Sequence, residues 1–188
     1  MADDKAGVLR EAEEKMKKAV SVNREELASI RSGRATPSLL NRINVDYYGT
    51  PTPLNQIANI SVPEPRLLVI SPYDKTSVAA IEKAIQQSDL GITPNNDGSV
   101  IRLAFPQLTE DRRKELIKVA HVRAEEGRVA VRGVRRHAKQ ELERLKKDAV
   151  IGEDEERGAE GDLQKLTDRH VEEVDENLKR KEAELSEV

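Results

Sequence analysis

Between residues 128 and 136 the sequence reads RVAVRGVRR and holds four arginines, Arg128, Arg132, Arg135 and Arg136. A guanidinium is a planar fork of donors that meets a phosphate with two parallel hydrogen bonds, and it stays charged at physiological pH. The chemistry such a cluster does is gripping an anion rather than making or breaking bonds. Residues suited to catalysis are sparse. The three histidines, His121, His137 and His170, have no second histidine at i+3 or i+4, so no metal-binding pair forms on a helix. His170 falls on an apolar stripe and reads as a core histidine. Cysteine is absent, which removes disulfides, thiol catalysis and thiolate-held metals together. Carboxylates are too many and too evenly spread for one acid pair to stand out. The glycines form neither a GxGxxG nor a Walker loop. A protein that is not an enzyme, with no catalytic residue, metal or cofactor, is the expectation.

The elements that position the arginines follow from where proline is missing. All eight prolines and all four aromatics, Tyr47, Tyr48, Tyr73 and Phe105, lie between residues 37 and 106. Proline clashes inside a helix and removes a donor, so segments 1–30 and 107–188 are marked as helical. Their apolar residues agree. Val8, Ala12, Met16, Ala19, Val20, Asn23, Leu27 and Ile30 step by three and four. So do Leu116, Ala120, Ala124, Gly127, Val131, Val134, Ala138, Leu142, Leu145 and Ala149. In the last segment Leu163, Leu166, His170, Val174, Leu178 and Leu185 do the same, with a gap near Lys181. Three long helices with one apolar stripe each bury a shared seam as a bundle. Because three stripes cover one another, no outside helix is required and a monomer is expected.

Charge refines this picture. The chain as a whole carries −3, so general attraction to a polyanion is not implied. Residues 107–150, however, hold thirteen bases and eight acids, while 151–188 hold six bases and fourteen acids. At about 100° per residue, with Val131 at zero, the seam residues Gly127, Val131, Val134 and Ala138 fall between about −60° and 0°. Arg135, Arg128, Lys139, Arg132 and Arg136 follow at about 40°, 60°, 80°, 100° and 140°. Lys114, Lys118, His121, Lys146 and Lys147 extend that arc, opposed chiefly by Glu125 and Glu143. Two readings fit. The stripe reads a phosphate backbone, with no aromatic rings for base stacking and therefore a folded RNA rather than a single strand as partner. Alternatively it is a salt-bridge face paired to the acidic third helix, in a helical scaffold or adaptor without an RNA role.

The segment between the helices has another period. Ile43, Val45 and Tyr47 alternate with polar residues as in a half-buried strand. Ile57 to Val62 and Leu67 to Ile70 are further strands. Thr76 to Gln87 carries Val78, Ile81 and Ile85 at helical spacing behind a Thr/Ser cap. Leu90 to Thr93 and Val100 to Phe105 flank a hairpin loop at 94–98. The fold class is therefore α+β, with residues 1–30 and 107–188 as an elongated three-helix bundle and 31–106 as a small inserted domain. Two chain segments cross the boundary, at Ser32, Gly33 and Arg34 and at Phe105 and Pro106, which permits bending and resists swivelling. A hinge is read there, against the alternative of a rigidly docked pair. No run of 18 apolar residues spans a membrane, and the acidic start MADDKAG lacks the features of a secretory or transit leader, so a cytoplasmic location is expected.

Several longer blocks resemble one family. SIRSGRATPSLL (29–40), DYYGTPTPLNQIA (46–58), EKAIQQSDLGITPNNDGSVIR (82–102), LTEDRRKEL (108–116), RVAVRGVRR (128–136) and GDLQKLTDRHVEEVDENLKRKEAEL (161–185) are similar to the bacterial ribosome recycling factor family. The resemblance runs from about Val8 to the end. It implies an L-shaped molecule, a three-helix bundle with a β/α/β domain inserted after the first helix. It implies binding to the post-termination ribosome, through bundle contacts to large-subunit ribosomal RNA. It also implies splitting of that ribosome into subunits with elongation factor G and GTP, so that mRNA and tRNA are released. By position, Arg128, Arg132, Arg135 and Arg136 would face ribosomal RNA, with Arg113, Arg31 and Arg34 as further candidates beside Lys114 and Lys118 of the stripe. The insert would swing and meet the elongation factor.

Two glycines stand out against this background. Gly127 and Gly133 sit inside the basic helix, where each costs about 1 kcal/mol relative to alanine. A local bend or softness in the arginine array is one reading of that departure.

Overall fold

The computed structural model describes residues 4–187. In chain order its longer elements are α1 (Lys5–Ala28), β1 (Asn44–Tyr47), β2 (Thr50–Pro53), α2 (Leu54–Ile57), β3 (Ala58–Glu64) and β4 (Leu67–Pro72). They continue with α3 (Val78–Gln86), β5 (Asn95–Asn96), β6 (Ile101–Ala104), α4 (Glu110–Lys147) and α5 (Glu153–Ser186). Two compact units result, one from residues 4–31 and 110–187, the other from Ser32–Thr109.

The first unit is the helical one. Asp4 starts α1 by accepting from the Gly7 N–H at 2.7 Å, an N-cap that satisfies one orphan donor of the first turn. The buried face of α1 is Val8, Ala12, Met16, Val20, Asn23 and Leu27. It meets Leu116, Ala120, Ala124, Gly127, Val131, Ala138, Leu142 and Leu145 of α4, and Leu163, Val174, Leu178 and Leu185 of α5. Met16, Leu142, Leu145 and Leu163 are among the fully buried side chains, each worth about 1.5–3 kcal/mol of burial. The Lys5–Glu155 and Arg169–Glu13 ion pairs set α1 parallel to α5. The gap in the α5 stripe near Lys181 is filled by that lysine itself. Its side chain is buried and its ammonium reaches Glu184 at 3.2 Å. His170 is a core histidine with one nitrogen satisfied: Nδ1 lies 2.7 Å from the Leu166 carbonyl, one turn back on α5.

The second unit holds a β1–β2 hairpin and a four-stranded antiparallel sheet in the order β3-β4-β6-β5. Val78, Ile81 and Ile85 of α3 share one core with Leu68, Ile70, Ile101 and Leu103. Two details differ from the sequence reading. Leu90 to Thr93 forms no strand. The chain turns at Gly91, with φ +67°, and pairing resumes only after Pro94, as Asn95 and Asn96 opposite Arg102 and Ile101. Thr50–Pro53 is a strand in spite of Pro51 and Pro53. Two residues apart, these prolines leave their missing N–H groups on the same edge, the one β1 does not use.

Candidate nucleic-acid interface

Helix α4 carries the basic stripe, and its 38 residues put the bases on one continuous element. The packing of α5 divides that stripe lengthwise. Five α4 side chains on the arc nearest the seam reach α5. His121 meets Glu182, Arg128 meets Asp175 at 2.7 Å, Arg135 meets Gln164 at 2.7 Å, Lys139 meets Glu160 at 3.2 Å, and Lys146 meets Glu156. Numbers fall along α4 as they rise along α5, so the two helices are antiparallel and the pairs form a ladder.

Arg128 is the most committed of these. Its side chain is only 20% exposed, and it donates from Nη1 to Glu125 and from Nε to Asp175, each at 2.7 Å. Those carboxylates, Glu125 first and then Asp175, raise its pKa above the ordinary arginine range against the opposing effect of burial. Glu125 is lowered in turn, mainly by the Arg128 hydrogen bond. Lys146 is raised through its bond to Glu156.

The outer edge of the stripe is different. Among the described residues Arg132 pairs only with Glu125 of its own helix, at 3.3 Å, and is 49% exposed. Arg136 is exposed, and among the described residues no side-chain partner is seen for it or for Lys118. Lys114 is exposed and pairs with Glu110, one turn back on α4, at 2.8 Å. Val122 and Val129, seven residues apart, are exposed beside them on the pole of α4 opposite the seam. The 3.6-residue period by itself sets both valines on that pole, a signal the count of charges does not carry. Arg113 is half-buried in the first turns of α4, and Arg31 is exposed just beyond α1. The arrangement presents exposed cations and a low apolar ridge, which suits contact with a phosphate backbone. Among the described residues no cluster of His, Asp or Glu is placed to hold a metal ion, and no helix is long and apolar enough to cross a membrane.

The residues read as a hinge all fall in the second unit. Ser32 is buried and its hydroxyl accepts from the Arg34 N–H at 3.4 Å. Gly33 has φ +75°, and a β-carbon there would lie 3.4 Å from the Pro106 carbonyl and from Leu108 Cγ. The two boundary segments therefore run side by side, at a backbone angle that glycine alone adopts without strain. Phe105 donates its N–H to the Arg66 carbonyl at 2.8 Å, and its ring packs on the insert core.

The ribosome recycling factor family model matches residues 23–185. The chain belongs to the ribosome recycling factor family. Ribosome-recycling factors from Acidothermus cellulolyticus (58% identical, 100% of both chains) and Bacillus pumilus (58% identical, 96% of this chain and 98% of that one) are similar to it throughout. A solution structure of a ribosome recycling factor aligns over 100% of both chains, with a TM-score of 0.81 and 43% identity. A second similar structure is a model of the T. thermophilus factor bound, with E. coli elongation factor G, to the E. coli post-termination complex. It aligns with a TM-score of 0.65 and 42% identity over 96% of this chain and 98% of that one. The family consists of translation factors without enzymatic activity, and its helical bundle with a small sheet domain is the architecture found here.

Proposed function

We propose that this chain binds the post-termination ribosome and, with elongation factor G and GTP, splits it into subunits, releasing mRNA and tRNA for another round. The helical unit holds large-subunit ribosomal RNA through the outer edge of α4, with Arg132 and Arg136 as the principal contacts and Lys118 and Lys114 extending the line. Arg113 and Arg31 contribute toward the end of the bundle where the insert departs. Arg128 and Arg135 act one step back, through Asp175 and Gln164, and steady the helix that carries the grip. The connections at Ser32, Gly33 and Arg34 and at Phe105 and Pro106 are the hinge, and the insert is the part that meets elongation factor G. The work is done in the cytoplasm, where ribosomes and the GTPase are.

The observation that carries this reading is the division of the stripe. The ladder to α5 takes the inner bases and leaves Arg132, Arg136 and Lys118 exposed along one rod, unpaired with any acid of the neighbouring helix. A scaffold whose arginines serve only internal pairing would leave no such row. The test is subunit splitting of post-termination ribosomes, read by light scattering, with this protein, elongation factor G and GTP each omitted in turn. Splitting is expected only when all three are present. Splitting unchanged without this protein would defeat the proposal.

A further inference from the structure

Gly133 has no internal reason to be glycine. A β-carbon built there meets nothing within 4 Å, and the backbone keeps an ordinary helical angle rather than a positive φ. Gly127, six residues earlier, is the opposite case, since the Asn23 side chain already fills the space its β-carbon would need. Glycine inside a helix is disfavoured against alanine, and its usual justifications are a left-handed turn or a close approach of something else to the backbone. At Gly133 the turn is absent and nothing among the described residues comes within 4 Å. The helix there faces away from the seam, next to Arg132 in sequence, one turn from the exposed Val129 and close to Arg136.

We propose that Gly133 is a clearance position, at which the backbone of α4 lies directly against the RNA that Arg132 and Arg136 hold. The occupant is a folded RNA because the cations beside the gap are guanidinium groups and no exposed aromatic ring accompanies them. The missing β-carbon lets a ribose or phosphate come down to the helix surface, and Val129 packs beside it. The inference rests on the RNA-binding role of α4 proposed above and adds to it a steric requirement that charge alone does not impose.

The experiment compares Gly133→Ala and Gly133→Leu with the Arg132→Ala/Arg136→Ala pair, each for ribosome binding at matched salt and for melting. Alanine and leucine have nearly equal helix propensity, so any stiffening of α4 is the same in both. Both should melt about 2–4 °C higher than the parent. Binding should weaken about tenfold for alanine and about a hundredfold for leucine, the range expected when extra atoms enter a packed contact. Equal losses for the two, or unchanged binding, would overturn the proposal, as would a fall in melting temperature, which would reveal an internal packing role. Lost binding in the arginine pair with an unaffected glycine series sinks the clearance role alone. Unchanged binding in the arginine pair sinks the RNA reading and this inference with it.

Discussion

The carboxamide of Asn23 occupies the space where a side chain on Gly127 would begin: an ideal β-carbon there lies 2.5 Å from Asn23 Cγ. From that position Asn23 donates through Nδ2 to the Arg123 carbonyl at 2.6 Å, tying α1 to α4 across 100 residues of sequence. The glycine that costs helix propensity is thus required by the crossing helix. Gly127→Ala should destabilise the protein by about 1–3 kcal/mol through overpacking, less whatever alanine returns in propensity. Asn23→Ala in the same chain should recover most of the loss. A denaturant double-mutant cycle measures the coupling, and additive effects would show that the two residues do not meet.

The divided stripe predicts that neighbouring arginines answer different assays. Arg128→Ala should lower stability by about 1 kcal/mol, because a part-buried hydrogen bond to Asp175 and an exposed one to Glu125 are lost. Its effect on ribosome affinity should be small. Arg132→Ala with Arg136→Ala should leave melting nearly unchanged and weaken binding. Circular dichroism melts and ribosome co-sedimentation on the same variants separate the two classes.

Phosphate contacts also leave a mark in salt. Each one releases counterions, so binding should fall linearly on a log–log plot of affinity against salt. Removing Arg132 and Arg136 together should reduce the steepness of that plot by about 1.5–2. A slope identical to the parent would place those side chains away from phosphate.

The connection from α4 to α5 contains a local conflict. Val150 donates to the Leu145 carbonyl at 2.9 Å and Ala149 to the Lys146 carbonyl at 3.0 Å, the pattern of a Schellman cap, with Ala149 at φ +56°. Glycine is the usual residue at that position. Ala149→Gly should therefore stabilise the protein by about 0.5–1 kcal/mol, the left-handed penalty less the added freedom of the unfolded chain. The midpoint of urea unfolding checks it.

In the insert, Asp97 caps its own loop. It accepts from the Val100 N–H at 2.9 Å, from the Arg102 guanidinium, and from the Ser99 N–H and hydroxyl, each at 3.0 Å. These donors, Val100 foremost, hold its carboxyl well below the ordinary value of 3.8. The unfolded chain then takes the proton first, so the contribution is present above that value and fades as pH falls below it. Asp97→Asn should flatten the acid side of the stability profile in that window. An NMR titration of the Asp97 carboxyl should show its midpoint shifted down.

Much of the architecture is legible from proline and periodicity. The long helices lie where proline is absent, and the buried face of α1 is the stripe that runs from Val8 to Leu27. The β1–β2 hairpin was harder to see, because Pro51 and Pro53 count against a strand unless the edge they occupy is known. Leu90 to Thr93 is the converse case: an apolar run beside a turn resembles a strand, but Gly91 and Pro94 divert it.

For the candidate site, the residues by themselves determine that the bases gather on one side of a long helix, since a fixed 3.6-residue period assigns each an angle about the axis. They also carry the family likeness. Which bases remain available was settled by tertiary structure alone. Angle about one helix says nothing of where a neighbour places its carboxylates. The antiparallel register of α5 brings Asp175 to Arg128 and Glu160 to Lys139, and it leaves Arg132 and Arg136 without an ion pair to any α5 acid. The same packing gives Gly127 a reason inside the protein and leaves Gly133 without one. Two glycines that look alike in sequence are separated only by what crosses in front of them.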